Sequence, residues 1–466
     1  MKPFKTILPK VFAGLVLAWG IGLHINQISA LPIVQWDESR LAINAVEMAS
    51  NGNIIVTSFN NSPDLYNTKP PLMIWLQALS VKAFGINESS IRLPSIFAGI
   101  ACIVLLMHYT YRQSKSLWTA SLAGLILICS NGFIQLHGSL TGDYDALLTL
   151  FLFLTFMHWH LWLSHQSNKH CWYMTLFLAL AILNKSAAAM IIIPIIGIQT
   201  IALKTSVNNA IRCFNMLALS ILPFLVFIGI RAYAAPGYIQ ASLFNDFIGR
   251  MQTHIDGHEE TWYYYFDQIV FKRFSLFWGL LPLSLMVLKA KFNPISKQLF
   301  FASIGYLLIL TLAKTKIHWY DMPVLPLLSM AIALNVKDAF MRLSFKTLQW
   351  GFIGIIIGVS TMASLQKHKA VWDKQQLDID YSHYELSHIL RQYNAKDTLY
   401  LVAPLYAPEF EFYTHQHPQI KRKSWRELKD NDKVVLGNYA KDSIDLQYRY
   451  KTLLNSPNAR IIQIQP

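Results

Sequence analysis

Long runs of apolar residues, separated by short polar stretches, fill the first three quarters of this chain. A helix needs about 20 apolar residues to cross the hydrocarbon of a bilayer. By that measure the pattern predicts roughly eleven spans. They lie near 11–31, 93–111, 117–136, 146–163, 172–184, 186–203, 214–232, 274–288, 299–313, 321–336 and 347–364. The fifth and sixth are nearly continuous through Leu183-Asn184-Lys185-Ser186, so the pair reads either as two spans or as one span and a re-entrant piece. From about Gln366 onward the long runs stop. Short strand-like pieces (Thr398–Ala403, Lys433–Leu436, Arg460–Ile464) then alternate with helical ones, the pattern of a small α/β domain. The expected fold is therefore an all-α polytopic membrane unit over residues 1–365, with substantial outer loops at 32–92 and 233–273, followed by a small α/β unit over 366–466.

Composition agrees with that pattern. Of 466 residues 53% are hydrophobic and only 14% are charged, against about 25% charged in ordinary soluble domains. A soluble protein of this size still needs a polar surface, so the deficit is not absorbed by a larger core. Disorder, collagen and a disulfide-stapled secreted scaffold are excluded by the same numbers. The four cysteines, Cys102, Cys129, Cys171 and Cys213, lie in or beside spans and form no CxxC or Cys/His metal spacing.

The net charge of +14 follows from topology. Lys and Arg accumulate in short cytoplasmic loops. With Lys2, Lys5 and Lys10 inside, the other inside loops hold Arg112, Lys115, Lys169, Lys204, Arg212, Lys289, Lys291, Lys297, Lys337, Arg342 and Lys346. The short outer loops hold only Lys185, Lys314 and Lys316. No nucleic-acid partner is needed to explain the charge. The basic start and apolar stretch at the N-terminus read as a retained first helix, because no convincing small-residue cleavage site follows. The expected placement is a multi-pass protein of the cytoplasmic (inner) membrane, its N-terminus cytoplasmic and its C-terminal domain periplasmic.

Candidate chemistry lies in the outer loops. The first carries Trp36-Asp37-Glu38-Ser39-Arg40, then Tyr66-Asn67-Thr68-Lys69-Pro70-Pro71-Leu72-Met73-Ile74-Trp75, then Asn87-Glu88-Ser89-Ser90-Ile91-Arg92-Leu93-Pro94. Adjacent acids beside a span are equally well the solvated start of an interfacial helix. The Pro pair pre-orders a helix start, and Lys69 beside helical N–H groups would suit phosphate. A lone interfacial Lys or Arg, Arg92 included, more often snorkels to the headgroups.

In this order the set resembles the GT-C-type glycosyltransferases that use polyprenyl-phosphate sugars. That family includes the protein O-mannosyltransferases and the lipid A 4-amino-4-deoxy-L-arabinose transferases. Further pieces fit the resemblance. They are Thr141-Gly142-Asp143-Tyr144-Asp145-Ala146-Leu147, with Asp145 aligned to the family's acid and Asp143 its competitor, and Lys185, where Ser186 replaces the family's Gly. They also include Phe247-Ile248-Gly249-Arg250, His258-Glu259-Glu260-Thr261-Trp262-Tyr263-Tyr264-Tyr265 and Lys316-Ile317-His318-Trp319-Tyr320-Asp321-Met322-Pro323. The match covers roughly residues 30–335.

The resemblance implies a polyprenyl-phosphate-linked sugar donor, undecaprenyl or dolichyl, and an acceptor hydroxyl or phosphate on lipid A, a glycan or a protein. It implies Asp37 as base, with Asp145 and Glu38 as further catalytic acids. Lys69, Arg250, Lys316, Lys185, Tyr66, Tyr320 and His258 become donor-phosphate ligands, with Lys314 a weaker candidate. His254 and His258 have a spacing that can place two metal ligands on one helix face. Some relatives supply a Glu immediately before Lys-Pro-Pro as a further ligand, but here that residue is Thr68. No metal is therefore expected to be required. The alternatives are a lipid-linked sugar flippase and an O-antigen-ligase-like enzyme with a diphosphate donor. Transporters hold such charges at the bilayer midplane, whereas here they cluster at span ends.

Overall fold

The computed structural model describes residues 2–28, 31–34, 36–254, 258–274, 277, 293–341, 355, 358–367, 369, 398–402, 408–415, 420–437, 447–455 and 459–466. Its helices are α1 (Lys2–Gln27), α2 (Asp37–Asn51), α3 (Leu72–Phe84), α4 (Glu88–Ser114), α5 (Leu117–Cys129), α6 (Asp145–His165), α7 (Asn168–Met190), α8 (Ile192–Ala202), α9 (Val207–Leu219), α10 (Leu222–Ala234), α11 (Tyr238–Ser242), α12 (Pro294–Leu312), α13 (Val324–Phe340) and α14 (Pro408–His415).

Among the described residues, six helical stretches are long and apolar enough to cross a membrane: Ile7–Asn26, Glu88–Ser114, Asp145–His165, Asn168–Met190, Val207–Ala234 and Pro294–Leu312. The expected spans near 274–288 and 347–364 lie largely outside the described residues. Other boundaries differ from the apolar runs for local reasons. The run at 117–136 is helical only to Cys129, after which residues 130–144 form an irregular loop. The helix of the fifth expected span, α7, continues past Asn184 to Met190, with a break at Lys185 (φ −146°, ψ 71°). A helix does begin directly after Pro70-Pro71, as the proline pair requires.

Burial sorts these helices. In α6 the aromatic side chains Phe153, Phe156, Trp159 and Trp162 are buried, and every residue of α13 from Val324 to Val336 is buried. These two helices form the interior. By contrast α10 exposes Leu222, Leu225, Val226 and Ile230, a face suited to lipid. Some polar groups inside the bundle are paired, which offsets their desolvation in a low-dielectric interior. Trp159 Nε1 donates to Thr200 Oγ1 at 3.0 Å, and the His160 Nδ1 to Gln298 Oε1 distance is 2.5 Å.

Two ends of the bundle are distinguishable. At one, Lys337 Nζ donates to the Ser114 carbonyl at 2.6 Å, bringing together two loops assigned to the inside by their cations. α4 runs from there to Glu88, about 40 Å away at the usual helical rise. At that second end α2, α3 and a two-residue-per-strand hairpin, β1 (Ser58–Phe59) with β2 (Ser62–Pro63), cap the bundle.

The C-terminal strands are β3 (Leu399–Val402), β4 (Ile420–Arg422), β5 (Lys433–Gly437), β6 (Tyr450–Asn455) and β7 (Ala459–Ile464). They form one sheet in the order β4-β3-β5-β7-β6, with β3 parallel to both neighbours and the other pairs antiparallel. All three strand-like pieces read from the sequence are strands. α14 links β3 to β4 and rests on α2. Its Tyr413 hydroxyl donates to Glu88 Oε1 at 2.9 Å and accepts the Ile33 amide at 2.9 Å.

Candidate active site

The loop between α2 and α3 is held by charge. Arg40 makes a two-pronged pair with Asp64 (Nε–Oδ2 3.0 Å, Nη2–Oδ1 2.8 Å). Asp64 also accepts the amides of Tyr66 and Asn67 and the side chain of Asn44. These bonds keep its carboxyl below the usual carboxylate range although burial opposes them. From the other side the buried Arg231 of α10 donates to the carbonyls of Ile55 and Asp64, and Tyr238 donates to the Thr68 carbonyl at 2.6 Å. The segment leading to Lys69 is thus fixed from both flanks.

Asp37 and Glu38 are neighbours with opposite surroundings. Helical geometry turns successive residues by about 100°. The Asp37 side chain is 49% exposed and lines a cavity of about 470 Å³. Glu38 is fully buried and faces the protein. Its two oxygens take Arg92 Nε (2.7 Å) and Nη2 (2.9 Å), the Val34 amide (2.7 Å) and the Gly142 amide (2.8 Å). Glu38, expected to be catalytic, does not line the cavity, and each of these bonds is directed into the fold. Arg92, expected to snorkel, is instead fully buried and also donates to the carbonyls of Leu31 and Pro32.

Asp145 begins α6 and lines the cavity, as does Lys185. Lys185 Nζ lies 2.8 Å from both Asp145 oxygens. The break in α7 at this residue carries Lys185 out of the helical path, and no glycine is present there. Its ammonium stands 4.6 Å from the centroid of the Tyr320 ring, a cation–π arrangement.

Lys69, Tyr66, Arg250, His258 and Tyr320 line the same cavity. Lys69 Nζ is 4.0 Å from Asp246 Oδ1 and 5.6 Å from the Tyr144 ring centroid. Burial pulls its pKa below the ordinary ammonium value, and Arg250 and Lys185 add to the effect while Asp246 opposes it. Burial likewise pushes the Tyr320 phenol up, so it stays a hydrogen-bond donor. Arg250 Nε donates to the Asn245 carbonyl at 2.8 Å. Lys316 is buried and does not line the cavity. Its amide donates to the His258 carbonyl (3.3 Å), while the Thr315 amide donates to the Arg250 carbonyl (3.1 Å). That short antiparallel contact holds two cavity residues in place. Lys314 is exposed.

Several cavity residues went unread in the sequence. Asn245 lines the cavity from the second outer loop, and its neighbour Asp246 lies behind the lining. Asp246 Oδ2 accepts the Thr68 hydroxyl at 2.6 Å, so a carboxylate reaches this spot from another part of the chain. His137 lies in the loop after α5, its ring stacked on Trp319 with centroids 3.9 Å apart and planes at 13°. Asp143 is buried and accepts the Thr141 hydroxyl. Burial disfavours a charged His137, but Asp143, with Asp37 and Asp145 behind it, raises its pKa to about 9. Desolvation by its surroundings, with Arg273 adding to it, instead lowers His318 to about 4. His254 Nε2 lies 3.6 Å from Glu259 Oε1. The three residues 255–257 ahead of His258 lie outside the described residues.

Residues 68–230 match the dolichyl-phosphate-mannose-protein mannosyltransferase family model. The chain is 28% identical over 156 residues to an uncharacterised protein of Aquifex aeolicus (34% of this chain, 30% of that one). It is 26% identical over 316 residues to the undecaprenyl phosphate-alpha-4-amino-4-deoxy-L-arabinose arabinosyl transferase of Shewanella sediminis (65% of this chain, 56% of that one). The crystal structure of ArnT from Cupriavidus metallidurans bound to undecaprenyl phosphate superposes with a TM-score of 0.75 over 99% of this chain and 98% of that one, at 14% identity. The family model thus matches about a third of the chain, and the structural likeness shows that the chain has the fold of ArnT.

With six helices among the described residues long and apolar enough to cross a membrane, the chain is a multi-pass membrane protein. In the two sequence matches it spans about a third and just over half of the relatives' own lengths. At 14% identity the structural likeness speaks for the fold.

Proposed function

We propose that this protein is a glycosyltransferase that moves a sugar from a polyprenyl-phosphate donor to a hydroxyl or phosphate acceptor such as lipid A, a glycan or a protein. One observation carries the reading. The half-exposed carboxylate of Asp37 and the cations of Lys69 and Arg250 line one cavity at the loop-capped end of the bundle. The names borne by the Shewanella and Cupriavidus proteins, an undecaprenyl-phosphate sugar transferase and an undecaprenyl-phosphate complex, support the choice of donor.

In this mechanism the acceptor oxygen attacks the anomeric carbon while Asp37 takes its proton. The bond from that carbon to the phosphate oxygen breaks with inversion, and the electron pair leaves on the polyprenyl phosphate. Lys69 and Arg250 face the charge that grows there, Arg in a two-pronged manner and Lys as a point charge. The hydroxyls of Tyr320 and Tyr66 are further donors. Asp145 is held by Lys185 and acts by fixing that ammonium beside Tyr320. No step requires a metal.

The cavity belongs to the outer face of the cytoplasmic membrane. Supporting this, α4 separates it from the end where Lys337 meets Ser114, among loops rich in cations. The C-terminal sheet, tied to Glu88, then lies on the periplasmic side.

The test is transfer by full-length protein purified in detergent. A radiolabelled polyprenyl-monophosphate sugar is offered with lipid A and a protein acceptor side by side. Label moving to one acceptor, with polyprenyl phosphate released and Asp37→Asn inactive, is expected. Tight donor binding with no transfer to either acceptor, together with donor movement across liposomes, would replace the enzyme with a flippase.

A further inference from the structure

Trp36 stands immediately before Asp37 and carries a backbone that side chains rarely adopt, φ 70° and ψ −98°. At positive φ the Cβ of an L-residue crowds its own backbone, so a bulky residue there is strained and glycine is the ordinary occupant. Strain of this kind persists only where the surroundings over-determine it, and it gathers at functional sites.

The neighbours of Trp36 supply that restraint. Its carbonyl accepts the Arg40 amide at 3.0 Å and the Ser39 hydroxyl at 3.2 Å. Upstream, the Val34 amide donates to Glu38 Oε2 at 2.7 Å, and the Val34 carbonyl accepts the Ser39 amide at 3.1 Å. Glu38 is in turn gripped by both Nε and Nη2 of Arg92. The buried Glu38–Arg92 pair thereby clamps the turn on which Trp36 sits.

What the clamp presents is an aromatic face. Trp36 is 57% exposed and lines the cavity. Much of the wall around it is charged, with Arg40, Lys69, Asp143, Lys185 and Arg250 among its residues. An apolar lipid tail would strip water from those charges without replacing it. A sugar ring suits the place better. Its hydroxyls meet polar groups around the rim, while its C–H face is apolar enough to lie on an indole. An exposed Trp beside a span commonly anchors the protein among the headgroups, but that role needs neither a strained backbone nor a place in a cavity wall.

We propose that Trp36 is the platform on which a sugar ring stacks, beside the Asp37 carboxylate, and that it helps to select the sugar. This rests on the proposed transferase, in which the ring belongs either to the donor or to a glycolipid acceptor. The two sources leave different marks on binding.

The test measures affinity apart from turnover. Full-length protein in detergent is titrated with undecaprenyl phosphate bearing mannose, with undecaprenyl phosphate bearing 4-amino-4-deoxy-L-arabinose, with bare undecaprenyl phosphate and with lipid A. Trp36→Gly is expected to melt no lower than wild type, because glycine accepts this backbone. It should lose roughly tenfold in affinity for a sugar-bearing lipid, with bare undecaprenyl phosphate bound as before. A loss confined to sugar-bearing undecaprenyl phosphate assigns the platform to the donor's ring, and a loss confined to lipid A assigns it to the acceptor's. Trp36→Tyr keeps an aromatic face and should retain most of the affinity. Trp36→Leu is bulky without such a face, should lose as much as Trp36→Gly, and serves if the glycine variant does not fold. Unchanged affinities in a folded Trp36→Gly or Trp36→Leu, or an equal loss for bare undecaprenyl phosphate, overturn the platform. Sugar-selective loss in a protein that transfers nothing upholds the platform and overturns the transferase, whereas transfer and binding indifferent to Trp36 do the reverse.

Discussion

Lys185 and Asp145 face each other across two helices, with the ammonium 2.8 Å from both carboxylate oxygens and both residues buried. Their pairing decides what the chain tolerates at the cavity. Removing one member of a buried ion pair typically costs about 3–5 kcal/mol, because the other charge is left uncompensated. Lys185→Met is therefore expected to lower the melting temperature in detergent sharply. Adding Asp145→Asn should recover most of that loss without restoring transfer. Two melts and one assay decide it, and equal melting of the single and double variants would mean that the pair is not coupled.

Asp37 and Glu38 should separate function from stability. Asp37→Asn is nearly isosteric and cannot take a proton, so transfer is expected to vanish while the melt is unchanged. Glu38→Gln weakens a buried pair with Arg92, with a loss on the order of 3 kcal/mol. Its activity, measured on the folded fraction, should stay within a few-fold of wild type. A Glu38→Gln protein as stable as wild type but inactive would return Glu38 to the chemistry.

At Arg250 the expected effect lies on the donor. A hydrogen bond to a charged group is worth roughly 1.5–3 kcal/mol, or about ten- to hundredfold in affinity. Arg250→Lys keeps the charge and loses the fork. The apparent KM for donor should rise by that factor while the KM for acceptor holds. An equal rise in both would place Arg250 elsewhere in the mechanism.

His137 gives a dependence on pH. Its pKa rises from 6.5 to about 9 on folding, so the folded state holds a proton that the unfolded chain releases first. The resulting stabilisation is fully present below about pH 6.5 and is lost as pH climbs through 9. The melting temperature of wild type relative to His137→Gln should fall across that window. A difference that does not vary with pH would mean that Asp143 and Asp37 do not act on the ring.

Much of this was legible in the chain. Apolar runs located the helices, and the ordered outer-loop motifs named eight residues that do line the cavity: Asp37, Tyr66, Lys69, Asp145, Lys185, Arg250, His258 and Tyr320. Helix ends were less legible, because hydropathy does not show where the backbone stops being helical, as at Cys129. The roles of Glu38 and Arg92 were hidden for a different reason. Adjacent acids look alike in a sequence, and only the rotation of α2 sends one to the cavity and the other to an arginine 54 positions away. His137 sits in no motif. What distinguishes it, a left-handed backbone and a stacked tryptophan from a distant loop, exists only once the chain is folded.

The bond from the Ile33 amide to the Tyr413 hydroxyl joins residues 380 positions apart. At about 5–20 residues per second, synthesis needs roughly 20–80 s to cover that distance. The segment beside Asp37 therefore leaves the ribosome early and gains this contact late. Through that interval the nascent cavity lacks one of its struts, and a chain stopped before Tyr413 would insert into the membrane without ever acquiring it.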